Sequence, residues 1–69
     1  MPDLRKILLN GEEREVGART LQQLVGELGL RPRMIAIERN LAVVPRSRWE
    51  ETELAEGDRI EIVQMIGGG

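Results

Sequence analysis

The 69 residues contain no cysteine and no histidine. Without cysteine there is no disulfide, no thiolate nucleophile and no zinc ribbon, and without histidine the commonest metal ligand and the usual general base are missing too. A self-sufficient enzyme is therefore not expected. Aromatic residues are reduced to Trp49 alone. An excess of positive charge is also lacking: the net charge is −2 and the pI about 5.1. Arginines alternate with glutamates rather than forming the basic stripe that phosphate contacts need, which argues against a nucleic-acid partner. No run approaches the roughly 18 apolar residues of a membrane span, and "MPDLRK" lacks the apolar core of a signal peptide, so no membrane association and a cytoplasmic location are expected.

What is present has the balance of a folded domain, with 41% hydrophobic and 32% charged residues. "KILLNGEEREV" reads as a β-hairpin: Ile7, Leu8 and Leu9 run into Asn10-Gly11, the dipeptide that best tolerates the positive φ angles of a type I′ turn, and a polar return strand ends at Val16. In "TLQQLVGELGLRP", Thr20 and Gln23 stand at capping-box spacing, and Leu21, Leu24, Val25 and Leu28 recur along one helical face. Gly29 suits a left-handed C-terminal stop and Pro32 prevents continuation. "MIAIERNLAVV" alternates at Ile35 and Ile37, turns at Arg39-Asn40 and resumes a short alternating run at Leu41 and Val43. "PRSRWEETEL" reads as irregular, with Trp49 plugging a satellite of the core. Gly57-Asp58 makes a turn into a last strand with Ile60 and Ile62 on one face.

The resulting order, β-β-α-β-β-β, places one main helix on one face of a mixed sheet of about four to five strands, an α+β class. With the last strand parallel to the first and beside it, this is the β-grasp, or ubiquitin-like, arrangement. The domain is expected over residues 1–66, followed by a flexible glycine tail at 67–69. Three glycines can contribute nothing to a core, because glycine has no side chain and orders at the greatest entropic cost. They are either inert or the working part.

Asn40 before the fourth strand, "VPRSRW" from Val44 to Trp49, "LAEGDRIEI" from Leu54 to Ile62 and the closing Gly68-Gly69 together resemble the ThiS family of sulfur carriers of thiamine biosynthesis. The resemblance extends over essentially the whole chain. Gly67 is an additional glycine beside the family's terminal pair.

That resemblance implies a protein cosubstrate with no bound cofactor. A ThiF-like adenylating enzyme would use ATP to convert the Gly69 carboxylate to an acyl-adenylate. Sulfur derived from a cysteine desulfurase would then displace AMP to leave a thiocarboxylate, which a ThiG-like thiazole synthase would consume. Ile66, Gly67 and Gly68 would thread the partner's site. The lack of cysteine agrees, because no side-chain persulfide can carry the sulfur. Alternation along the strands sets Glu61, Val63 and Met65 opposite Ile60 and Ile62, with Leu8 on the neighbouring strand, so Leu8, Val63 and Met65 are expected to form an exposed docking patch for partners. Other β-grasp carriers, such as the small subunit of molybdopterin synthase or a protein-conjugating modifier, share the terminal chemistry. An interaction module with inert glycines is the reading from a different class.

Overall fold

Asn10 and Gly11 adopt φ angles of 50° and 85°, the positive pair that a two-residue type I′ turn requires. In the computed structural model, which describes residues 3–65, this turn joins β1 (Arg5–Leu9) to β2 (Glu12–Val16) as an antiparallel hairpin. The helix α1 (Leu21–Leu28) follows. The Thr20 hydroxyl accepts from the Gln23 N–H at 3.2 Å, while the Gln23 amide oxygen reaches one residue beyond an ordinary capping box and accepts from the Arg19 N–H at 2.7 Å. Gly29 ends the helix at φ 69°, and its N–H and that of Leu30 return to the carbonyls of Gly26 and Val25.

The second hairpin pairs β3 (Ile35–Arg39) with β4 (Ala42–Val44). Its turn corrects the reading from sequence. Arg39 pairs with Ala42, so Asn40 and Leu41 are the central residues, both at positive φ (52° and 73°), and Leu41 belongs to the turn rather than to an alternating strand. Leu41 and Val43 are both exposed. The "PRSRWEETEL" segment is more regular than expected, forming a 3-10 helix over Arg46–Glu51. Trp49 is 1% exposed and belongs to the main core rather than to a satellite, with its indole N–H donating to the Val44 carbonyl at 2.9 Å. A buried tryptophan needs such an acceptor, and this one ties the 3-10 helix to the end of β4.

The last strand, β5 (Arg59–Gln64), enters the middle of a five-stranded sheet of order β2-β1-β5-β3-β4. It runs parallel to β1, with Leu9 opposite Ile60, and antiparallel to β3, with Ile37 opposite Ile62. This is the β-grasp arrangement. One face of the sheet carries Ile7, Leu9, Ile35, Ile37 and Ile60 against Leu21, Leu24 and Val25 of α1, and all are buried. Burial of a large aliphatic side chain stabilises by about 1.5–3 kcal/mol, so this one-sided core is the main driving force for the fold. The opposite face has no element packed over it among the described residues.

Candidate functional site

The residues that matter are those fixing where β5 ends and what surrounds that end. β5 has a short parallel ladder with β1, in which Leu8 and Leu9 pair with Arg59 and Ile60. Beyond that point β1 has turned away. The Asn10 side chain then takes over as a strand partner, its amide oxygen accepting from the Ile62 N–H at 2.8 Å while its backbone N–H donates to the Ile60 carbonyl at 2.9 Å. Asn40, at the equivalent position of the other hairpin, grips the beginning of the same strand: its side-chain oxygen accepts from the Arg59 N–H at 2.9 Å and its N–H donates to the Arg59 carbonyl at 2.7 Å. A left-handed asparagine serves both places, because its short amide can bond locally while its backbone tolerates positive φ.

Asp58 anchors this clip from below. Its carboxylate, in a residue 6% exposed, accepts from the Ala55 N–H at 2.8 Å, from Arg39 Nε at 2.9 Å and from Asn40 Nδ2 at 3.2 Å. Burial works to raise its pKa, but the backbone bond from Ala55, the bonds from Arg39 and Asn40 and the charge of Arg39 outweigh it, leaving the carboxyl below its ordinary 3.8. The acid is structural, since its lone pairs are committed to holding the turn against β5. The motif residues Asn40, Gly57 and Asp58 thus meet in space around one strand. Gly57, at φ 86°, supplies the turn that a Cβ would strain.

At the far end, pairing with β3 continues to the last described residue: Ile35 opposes Gln64, and the Met65 N–H donates to the Met34 carbonyl at 2.7 Å. Ile66, Gly67, Gly68 and Gly69 lie outside the described residues. Val63 is 60% exposed and stands beside Ala36 on the uncovered face. Leu8 shares that face but sits level with Arg59, four residues and about 13 Å along the strand from Val63. Glu61 lies between them. Met65 is exposed and lines a hollow of about 410 Å³ with Met34, Gly29, Leu30 and Arg31 at the C-terminal end of α1. Leu8, Val63 and Met65 are therefore all exposed without forming one continuous patch. Val43, 68% exposed, was not expected in this company. It stands next to Glu38, which is opposite Glu61, so the face near Val63 is apolar with two carboxylates facing each other. The register of the second hairpin decides this, because it pairs Val43 with Glu38 on the face turned away from the core.

No group of three or more acidic side chains is placed to hold a metal ion among the described residues. No helix of the described residues is long and apolar enough to cross a membrane.

The ThiS family model matches residues 7–69, a stretch that holds most of the first hairpin, all of the second, the clip around β5 and the glycines after it. The chain belongs to the ThiS family. It is 32% identical over 65 residues to the sulfur carrier protein ThiS of Escherichia coli, covering 93% of this chain and 98% of that one. It is also similar to proteins called thiazole synthase in Paramagnetospirillum magneticum and Magnetococcus marinus, 48% identical to each over 65 residues. The chain spans only 20% of the length of those two relatives. Among solved structures, the crystal structure of the thiamine biosynthesis protein ThiS from Geobacter metallireducens superposes with a TM-score of 0.79 at 26% identity, over 93% of this chain and 99% of that one.

Proposed function

We propose that this ThiS-family chain is a sulfur carrier of thiamine biosynthesis, carrying sulfur as a thiocarboxylate on Gly69. The observation that carries the reading is the extent of the family match, which runs through the glycine triplet to residue 69. The names of relatives matched over nearly their whole length, a sulfur carrier and a thiamine biosynthesis protein, support it.

In this reading β5 is a rigid muzzle. It is held by β3 and Met34 as far as Met65 and on the other side by β1 and Asn10 as far as Ile62, which sets its direction. The four residues from Ile66 to Gly69 extend at most about 13–14 Å beyond it, enough to carry the carboxylate into a buried site while the domain stays outside. Glycine suits that passage because it has no Cβ to meet the walls and a wide φ/ψ range for in-line approach. A carboxylate is a poor electrophile, so a ThiF-like partner first transfers AMP from ATP to it, releasing pyrophosphate. The terminal sulfur of a persulfide on a donor fed by a cysteine desulfurase then attacks the acyl carbon and AMP departs, after which a second thiol cleaves the resulting S–S bond, leaving the thiocarboxylate on Gly69 and a disulfide on the donor side. The chain contributes no acid, base or nucleotide site to these steps; its parts in them are reach, direction and docking through Val63 and its neighbours. The acceptor is a thiazole synthase, a reading supported by the 65-residue segments like this chain within relatives of that name.

Two measurements test it. Incubated with the adenylating enzyme, ATP and the sulfur donor, the chain gains a mass corresponding to replacement of one oxygen by sulfur on its C-terminal fragment. Deleting Gly69 shortens the reach by about 3.5 Å and lowers the adenylation rate by at least about tenfold. Unchanged mass, or a deletion variant that reacts as fast as the parent, refutes the assignment. Offering the thiocarboxylate in parallel to a thiazole synthase and to the large subunit of molybdopterin synthase identifies the acceptor.

A further inference from the structure

The chain is acidic overall, yet three of its arginines gather around one hollow. The connection from α1 to β3, including the 3-10 turn Pro32–Met34, and the 3-10 helix after β4 border an open hollow of about 590 Å³. Arg31, Arg33 and Arg46 line it, with Met34 among them and Glu50 as its acidic member. All three arginines are exposed. The ion pairs within 4 Å among the described residues engage Arg39, Arg48 and Arg59 instead, so the guanidinium groups around the hollow have no carboxylate partner among those residues.

The strand directions give this cluster its place. β3 begins where β5 ends, since Ile35 pairs with Gln64, and β4 runs back so that Val44 lies beside Ile37, bringing Arg46 to the same end. Arg31 and Met34 also line the hollow that contains Gln64 and Met65. The basic cluster is thus continuous with the exit of the last strand, while the neighbouring sheet face carries Glu38 and Glu61. A partner that takes up the tail must come close to both. Exposed guanidinium forks match carboxylates bidentately, whereas an open, solvated hollow gives a single small anion little shelter from water.

We propose that the Arg31–Arg33–Arg46 hollow is a second recognition surface, which receives an acidic segment of the enzyme that adenylates the tail. This rests on the carrier reading above. The sheet face near Val63 and this cluster then contact the partner with opposite charges, which fixes the rotation of the domain about the axis of β5 and so the line along which the tail enters. Rim charges of this kind govern association more than chemistry.

The test measures pyrophosphate release by the adenylating enzyme as a function of carrier concentration, for the parent chain, the double variant Arg33→Glu/Arg46→Glu, the conservative double variant Arg33→Lys/Arg46→Lys, and Arg19→Glu as an exposed reversal outside the cluster. For the parent, KM rises about tenfold between 50 and 500 mM salt, as screening shortens from beyond 10 Å to a few ångströms. The double reversal raises KM about tenfold at low salt, leaves kcat within twofold and flattens the salt response; the lysine variant and Arg19→Glu stay within about threefold of the parent. Thermal unfolding of each variant shows that the fold is retained. A double reversal with the parent's KM and salt response overturns the surface while leaving the carrier function standing. Displacement of Arg33 and Arg46 side-chain NMR signals by submillimolar ATP or pyrophosphate alone overturns it in favour of a small-anion site. A parent chain that releases no pyrophosphate at all defeats the carrier reading, and this surface with it.

Discussion

Replacing Asp58 by asparagine removes one charge and one acceptor from the point where the turn at Gly57, the second hairpin and β5 are joined. In the parent, Oδ2 accepts from Ala55 N–H and Arg39 Nε, and Oδ1 accepts from Asn40 Nδ2. With its single oxygen in the Oδ2 position, the introduced amide keeps two of those bonds but turns an NH₂ toward the NH₂ of Asn40. Asn40 cannot rotate to relieve this without giving up its bond from the Arg59 N–H. Losing a charge-assisted bond costs about 1.5–3 kcal/mol, of which a neutral bond to Arg39 recovers roughly 1 kcal/mol, and the facing donors cost about 1 kcal/mol more. Arg39 is 34% exposed, so water relieves part of this, and the net is about 2 kcal/mol. At 4–8 °C per kcal/mol for a domain of this size, the unfolding midpoint falls by about 8–16 °C at pH 7. Fluorescence of the buried Trp49 reports the transition. The pH dependence adds a second criterion. The folded-state pKa of Asp58 lies below 3.8, so its stabilisation is complete above the unfolded value and is lost as pH falls through the folded one. The gap between parent and Asp58→Asn is therefore constant down to about pH 5 and narrows below about pH 3.8. A midpoint within about 3 °C of the parent at pH 7, or a gap that widens in acid, refutes the account of Asp58 as an ionised anchor.

Val63→Glu adds a third carboxylate beside Glu38 and Glu61 on the uncovered face; the exposed site costs about 0.5 kcal/mol of strand preference, yet kcat/KM for adenylation falls at least about tenfold, and unimpaired turnover removes that face from docking. Leu41→Gly relieves a left-handed leucine at φ 73°, worth about 1–2 kcal/mol against a glycine entropy cost of about 0.5–1 kcal/mol. The midpoint rises by roughly 2–8 °C, and a fall means that leucine is not strained in this turn.

Local chemistry was legible in the chain by itself. Asn10-Gly11 specifies a type I′ turn because few other dipeptides accept two positive φ angles, and Thr20, Gln23 and Gly29 mark the ends of α1 through bonds within a few residues of themselves. The second turn was misplaced by one residue because Leu41 carries no such preference. Its left-handed geometry is imposed by the pairing of Arg39 with Ala42, and the long-range sheet outweighs the local cost. The glycine triplet and the motif residues were visible as a pattern, but not why they belong together. Only the tertiary structure brings Asn10, Asn40 and Asp58 around β5, across separations of 18 to 52 residues, and seats Trp49 in the main core. The same holds for Arg31, Arg33 and Arg46. In sequence they are scattered charges among glutamates; in the fold, the segments that carry them meet where β5 stops, and the antiparallel return of β4 brings Arg46 there. Composition fixes the total charge, whereas strand order and direction decide where that charge stands relative to the tail.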